Sequence, residues 1–107
     1  MIKPDKVNIL GIEYSITYCD KPSDVDVHKY DALWGQTDFW TRSIRIYDNG
    51  NRPTEDIWQV IFHEVIHGIA DALHIDELKG KDKEDTVDLL ALALTDILFR
   101  NNWMRID

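Results

Sequence analysis

Residues 57–73 read IWQVIFHEVIHGIADAL, and this stretch decides how the rest of the chain folds around it. Its apolar residues recur mostly at spacings of three and four, which is typical of a helix that packs one face against a core. Pro53 and Thr54 precede it, and acidic residues follow at once, beginning with Glu55. We therefore predict a helix from about Thr54 to His74, with Thr54 as its N-cap and acids in its first turn.

The same stretch carries two histidines, His63 and His67, four positions apart. On an α-helix these residues share a face, so both imidazoles can bind one metal ion. Glu64 projects roughly 100° away, where it can reach a water on that metal without being a ligand itself. Two nitrogen ligands, a nearby carboxylate and an open coordination position predict a hydrolytic zinc site with Glu64 as general base. A surface helix with two unrelated histidines is the alternative.

A zinc site of this kind needs a third protein ligand. The extended motif HExxHxxGxxH would supply it from the same helix, but its glycine and last histidine positions hold Ala70 and Leu73 here. His74 lies one residue out of register, and we expect it to interact with the last carbonyls of the helix instead. The third ligand is therefore expected on another element.

A second apolar segment, residues 83–101, follows a short polar connection that contains Gly80. Its length and interspersed charges predict a buried core helix and not a membrane span. A short loop makes the two helices antiparallel neighbours, which lets Glu84 act as the third ligand. Asp88, one turn later, can accept a hydrogen bond from a ligating histidine or replace Glu84 as ligand. Solvated acids that favour a helix N-terminus are the plain alternative.

The first half of the chain predicts strands. Residues 7–10 and 12–18 form the first two, and the second alternates so that Ile12, Tyr14, Ile16 and Tyr18 face inward. Residues 33–40 and 42–48 form an antiparallel pair that ends at the turn signal DNGN. The prediction is an α+β fold in which a small antiparallel sheet packs on the active-site helix and on a second antiparallel helix.

Composition narrows the class of protein. The chain has 107 residues, which predicts one domain over residues 1–107. Its 20 acidic and 12 basic residues give a net charge of −8, which disfavours nucleic acid and leaves a basic protein as the more plausible partner. The alternative, which we favour slightly, is that this charge simply keeps a small protein soluble. The single Cys19 excludes an internal disulfide, and neither a signal peptide nor a membrane span is indicated, so we expect a cytoplasmic protein.

The residues that carry this chemistry resemble a known family. The motif His63-Glu64-x-x-His67 followed by Glu84-x-x-x-Asp88 resembles the gluzincin arrangement of zinc metallopeptidases. The second-helix pattern is also similar to ImmA/IrrE-type proteins and to small phage-encoded metallopeptidase-like proteins, in which a strand pair like residues 35–47 precedes the active helix. The resemblance implies a minimal zincin-like fold that holds Zn²⁺ through two histidines and the later glutamate, with the aspartate supporting a histidine.

In zincin-like peptidases the sheet edge beside the active helix binds extended substrate as an added strand. By analogy, residues 35–40 are expected to take that role. The aromatic residues Trp34, Phe39 and Trp40 either line a cleft there or belong to the core. Tyr30 and Tyr47 are both candidates for stabilising an oxyanion.

The leading hypothesis is a zinc-dependent endopeptidase in which His63, His67 and Glu84 hold the metal and Glu64 deprotonates the attacking water. Its partner would be a protein or peptide substrate. A second hypothesis is a phage or prophage interaction protein that keeps the scaffold and the metal but acts by binding. A purely structural zinc site is disfavoured, because such sites usually have four protein ligands.

Overall fold

In the part of the chain that the structure describes, the sheet has four strands and two helices pack beside it. The computed structural model describes residues 3–26 and 33–104. The strands are β1 (Lys6–Ile9), β2 (Ile12–Cys19), β3 (Gly35–Asp38) and β4 (Ser43–Tyr47), and the helices are α1 (Thr54–Leu73) and α2 (Glu84–Arg100). Short 3₁₀ turns lie at Pro22–Asp24, Asp76–Leu78 and Lys81–Lys83. The predicted α+β class is confirmed.

The sheet is mixed, which differs from the predicted antiparallel arrangement. Its strand order is β1-β2-β4-β3. The two outer pairs are antiparallel, as expected, but the central strands β2 and β4 run parallel, with Ile16 opposite Ile44. Alternation of apolar residues fixes which face of a strand is buried, whereas the direction of its neighbour depends on the path of the connecting chain. In this topology β3 is an edge strand.

One face of the sheet packs on α1 and forms the core. Tyr14 and Ile16 of β2 are buried as predicted, and they join Ile44, Ile46, Ile57 and Ile61 in one hydrophobic cluster with Ile9. The packing is close: a Cβ on Gly68 would lie 2.6 Å from Ile9 Cδ1, so glycine lets α1 approach the sheet. Each buried isoleucine contributes roughly 1.5–3 kcal/mol to the transfer free energy.

The helix α1 ends as the sequence predicts, but it begins differently. Thr54 is its first helical residue, and Pro53 occupies the N-cap position without any side-chain cap hydrogen bond. The Pro53 carbonyl accepts the backbone N–H groups of Asp56 and Ile57, so the first turn closes without the Thr54 hydroxyl. At the other end His74 adopts a left-handed conformation, and its backbone N–H reaches the Ala70 and Asp71 carbonyls.

The helix α2 packs antiparallel to α1. Its first residue, Glu84, lies beside His67 in the second half of α1, and its last residue, Arg100, interacts electrostatically with Glu55 in the first turn of α1. Its buried residues are Val87, Ala91 and Thr95. Leu98 and Phe99 are half-buried, whereas five other large apolar side chains are 38–66% exposed, namely Leu89, Leu90, Leu92, Leu94 and Ile97. The prediction of a buried core helix is therefore wrong for residues 3–26 and 33–104, which bury only one side of α2. Within the described residues, neither helix has the length and apolarity needed to cross a membrane.

Candidate metal centre

Three side chains from two helices converge on one point. His63 and His67 project from the same face of α1, and their Nε2 atoms are 3.0 Å apart. Glu84, the first residue of α2, brings its Oε2 atom to 2.8 Å from His63 Nε2 and 3.3 Å from His67 Nε2. The structure thus joins the two histidines of the motif with the glutamate predicted from the next helix, and this cluster could hold a metal ion.

The donor set fits a small tetrahedral cation. Nitrogen and oxygen ligands bind zinc at about 2.0–2.1 Å, so two ligand atoms at a tetrahedral angle are separated by about 3.3 Å. The three separations among His63, His67 and Glu84 are close to this value. Imidazole nitrogens that approach each other and a carboxylate in this way repel unless a cation or proton lies between them.

Asp88 lies behind His63, on the side of the ring away from the cluster. Its Oδ1 atom is 2.6 Å from His63 Nδ1. The Nδ1 atom is buried, yet it makes no hydrogen bond of good geometry to any described residue, so the carboxylate is near the N–H but not aligned with it. The Asp88 side chain is 64% exposed and can rotate into line. Such a contact would keep the proton on Nδ1 and direct the Nε2 lone pair of His63 into the cluster.

Glu64 lies next to the cluster without joining it. Its side chain is buried, and Oε2 is 3.9 Å from His63 Nε2, farther than any ligand-to-ligand distance in the cluster. Thr37 Oγ1 donates a 2.8 Å hydrogen bond to Oε1. Burial raises the pKa of Glu64, while the two histidines and the Thr37 hydrogen bond oppose that rise. The geometry suits a group that exchanges protons beside a metal site.

A cleft of about 530 Å³ opens beside the cluster, between α1, α2 and the start of β3. The cluster residues His63 and Glu84 form one wall, and apolar side chains form much of the rest, namely Leu33, Trp34, Val60, Leu89 and Leu92. Arg52 lines the same cleft, with its guanidinium 4.3 Å from the centre of the Trp34 ring. The cleft therefore offers both apolar surface and a cation near the cluster.

The aromatic residues that were predicted either to line a cleft or to belong to the core lie in three different places. Trp34 lines the cleft, and Phe39 lines an adjoining one beside His67, whereas Trp40 is 97% exposed at the turn between β3 and β4. None of the three belongs to the buried core of the described residues. Tyr47 packs against Trp34 and accepts a hydrogen bond from Asn49, and Tyr30 lies outside the described residues.

Two contributors to the site were not identified from sequence. Thr37 bonds Glu64, and Gly35 lies against it: a Cβ on Gly35 would be 2.7 Å from Val60 Cγ1 and 3.0 Å from Glu64 Oε2. Both residues lie on β3 in register with β4. The strand pattern predicted their segment, but only the packing of β3 over α1 shows which residues touch the carboxylate.

Fold and site together define a small α+β protein with a two-histidine, one-glutamate cluster and a buried carboxylate beside it. Comparisons with protein-family models, with curated proteins and with solved structures gave no match for this chain.

Proposed function

We propose that this protein is a zinc-dependent peptidase. The observation that carries the proposal is the convergence of His63, His67 and Glu84 next to a buried carboxylate that is not part of the cluster. Three protein ligands leave a coordination position open, which distinguishes catalytic zinc sites from structural ones. Asp88 lies behind His63, where a rotation of its side chain would form the kind of carboxylate–histidine pair that orients metal ligands.

When bound, zinc supplies Lewis acidity that polarises a carbonyl group and lowers the pKa of water. The protein residues supply the proton transfers. Glu64 accepts a proton from the attacking water and returns it to the amine that leaves. Its burial favours this role, because a raised pKa brings a carboxylate closer to the pH at which it can both take and give a proton.

The open edge of β3 supports an extended peptide as substrate. The Tyr47 N–H bonds the Trp34 carbonyl at 2.8 Å, so alternate residues of this strand pair with β4. By the same alternation the backbone groups of Gly35 and Thr37 point to the open edge. An added peptide strand could pair with these groups while it passes the cluster, and the net charge of −8 favours basic proteins as substrates.

Two measurements on the purified protein test this function. The wild type should take up about one equivalent of zinc, while His63→Ala and His67→Ala should not. His74→Ala is the matched control, since His74 is exposed at the end of α1. A protein that binds no zinc would contradict the proposal.

The second measurement is hydrolysis of a peptide library by the zinc-loaded protein. Glu64→Gln keeps the size of the side chain but removes its basicity, so it should bind zinc and lose at least about 100-fold in rate. Equal rates for wild type and Glu64→Gln would contradict the assignment of Glu64.

The exposed apolar side chains beside the site favour one competing function. Trp34 and Leu89 are each more than half exposed at the cleft, which suits a phage or prophage interaction protein that holds the metal but acts by binding. That function predicts an unchanged biological activity for Glu64→Gln, whereas His63→Ala would lower the stability of the metal-bound protein.

A further inference from the structure

The helix α2 is apolar on two opposite faces, and the described chain covers only one of them. Val87 and Ala91 are buried on the side that packs on α1. On the opposite side Leu90, Ala93 and Ile97 lie in one row, with Leu90 45% and Ile97 47% exposed. We call this row, with Thr86 and Arg100 at its ends, the outer face of α2.

An apolar face of a helix is normally buried against a neighbour. The row of Leu90, Ala93 and Ile97 is uncharged, and Leu94 beside it is also exposed, so together they form a continuous apolar strip. Monomeric proteins rarely leave such a strip in water, because its exposed apolar surface forgoes the free energy of burial. The outer face therefore fits a surface that a partner covers.

We propose that the partner is a second copy of this chain, bound through α2 in antiparallel orientation. The charges in the first and last turns of α2 carry this choice. The first turn of α2 is acidic, with Asp85 exposed, and its last turn carries Arg100. An antiparallel pair places each acidic end beside the other copy's basic end and also sets the two helix dipoles in opposition. A parallel pair would place like charges together.

The residues of the outer face are spaced almost symmetrically about Ala93, as a twofold axis between two copies at that residue requires. Thr86 and Arg100 are each seven positions from Ala93, and Leu90 and Ile97 are three and four positions away. Rotation about Ala93 therefore brings Leu90 of one copy beside Ile97 of the other, as an isologous contact requires. The small alanine at the crossing allows the helices to approach closely.

Arg100 can serve this contact although it already has a partner. Its Nε atom lies 2.5 Å from Asp96 Oδ1 one turn earlier in the same helix. A guanidinium has five N–H donors, and those that Asp96 does not use can donate to a carboxylate of the second copy. Because the outer face lies opposite the α1 contact, the proposed dimer is independent of the peptidase assignment.

Sedimentation velocity between about 1 and 100 µM tests the dimer directly. We expect a concentration-dependent dimer for the wild type, and Leu90→Glu and Ile97→Glu should each weaken it at least about tenfold, because an interface core excludes unpaired charge. Leu10→Glu is the matched control, since Leu10 is 63% exposed on the turn between β1 and β2 and should leave the dimer unchanged. A wild type that is monomeric throughout, or a dimer that both glutamate variants leave unchanged, overturns the proposal.

The orientation is tested by crosslinking and by charge reversal. In a Cys19→Ser background, Ala93→Cys should form an oxidised dimer readily, whereas Leu90→Cys alone should not, because its counterpart lies across the axis. Arg100→Glu should weaken the dimer, and adding Asp85→Arg to the same chain should restore it. Efficient crosslinking through Leu90→Cys, or no rescue by the double reversal, would overturn the antiparallel arrangement.

Discussion

Thr37 Oγ1 donates a 2.8 Å hydrogen bond to Glu64 Oε1, and this contact joins the edge strand β3 to the helix that carries both histidines. The carboxylate is buried, so it depends on this partner for the hydrogen bonding that water would otherwise supply. The edge strand β3, which we propose as the substrate-binding edge, therefore also positions the proposed general base.

Replacing Thr37 with valine should destabilise the protein. The change keeps the shape of the side chain but leaves a buried carboxylate oxygen without its donor, which costs about 1–3 kcal/mol. Thr37→Ser retains the hydroxyl and should stay close to wild type. Urea unfolding of the two variants gives the comparison, and equal stabilities for valine and serine would show that the contact contributes nothing.

Asp88→Ala should lower zinc affinity without removing a ligand. A carboxylate 2.6 Å from His63 Nδ1 can fix the ring and its tautomer, and loss of such a partner typically costs 10–100-fold in metal affinity, about 1.4–2.7 kcal/mol. Competition against a zinc chelator measures the effect. Asp85→Ala removes an exposed acid from the same turn of α2 and should leave the affinity near that of the wild type. Equal losses in both variants would show that zinc affinity depends on the negative charge of this helix turn and not on the contact between Asp88 and His63.

Gly35→Ala should push β3 away from α1. The added Cβ would lie 2.7 Å from Val60 Cγ1, and we expect a loss of about 1–3 kcal/mol from this overpacking. Removing the Val60 methyl groups in Gly35→Ala/Val60→Ala should recover part of that loss, although the second change alone destabilises. A double-mutant cycle of unfolding free energies measures the coupling, and additive losses would show that the two residues do not clash.

Tyr18 should make stability depend on alkaline pH. Burial raises the pKa of Tyr18 to about 12, and its hydroxyl donates a 2.7 Å hydrogen bond to the Pro4 carbonyl. The unfolded chain loses this proton near pH 10 and the folded chain near pH 12, so the folded state binds more protons in that window. The stabilisation is complete below pH 10 and is lost as pH rises towards 12.

Tyr18→Phe provides the control for this pH dependence. It should unfold more easily than wild type below pH 10, by about 1 kcal/mol for the lost hydrogen bond, and the difference should shrink as pH approaches 12. Denaturant unfolding at several pH values, together with ultraviolet titration of the phenols, measures both effects. A constant difference across this range would contradict the assignment.

Local sequence patterns predicted several elements correctly. The spacing of apolar residues gave α1 to within one residue of its end, and alternation identified the inward face of β2 around Tyr14 and Ile16. These features depend on the repeat of a single element, 3.6 residues for a helix and two for a strand, so they can be read without knowing any neighbour.

Relations between elements were harder to predict. The parallel pairing of β2 and β4 depends on a connection whose path the residue pattern does not encode. The exposure of Leu90 and Ile97 shows the same limit, because apolarity indicates that a face is buried but not which molecule buries it. The N-cap prediction was wrong by one residue, because Thr54 is already helical and Pro53 occupies the N-cap position without a side-chain hydrogen bond.

The sequence by itself determined that His63 and His67 share one helical face with Glu64 turned away from it, because four residues make about one turn of any α-helix. Only the tertiary structure decided that Glu84 reaches these histidines and that Thr37 holds the buried carboxylate. Those contacts join residues far apart in the chain, and their distances are set by how α2 and β3 pack on α1.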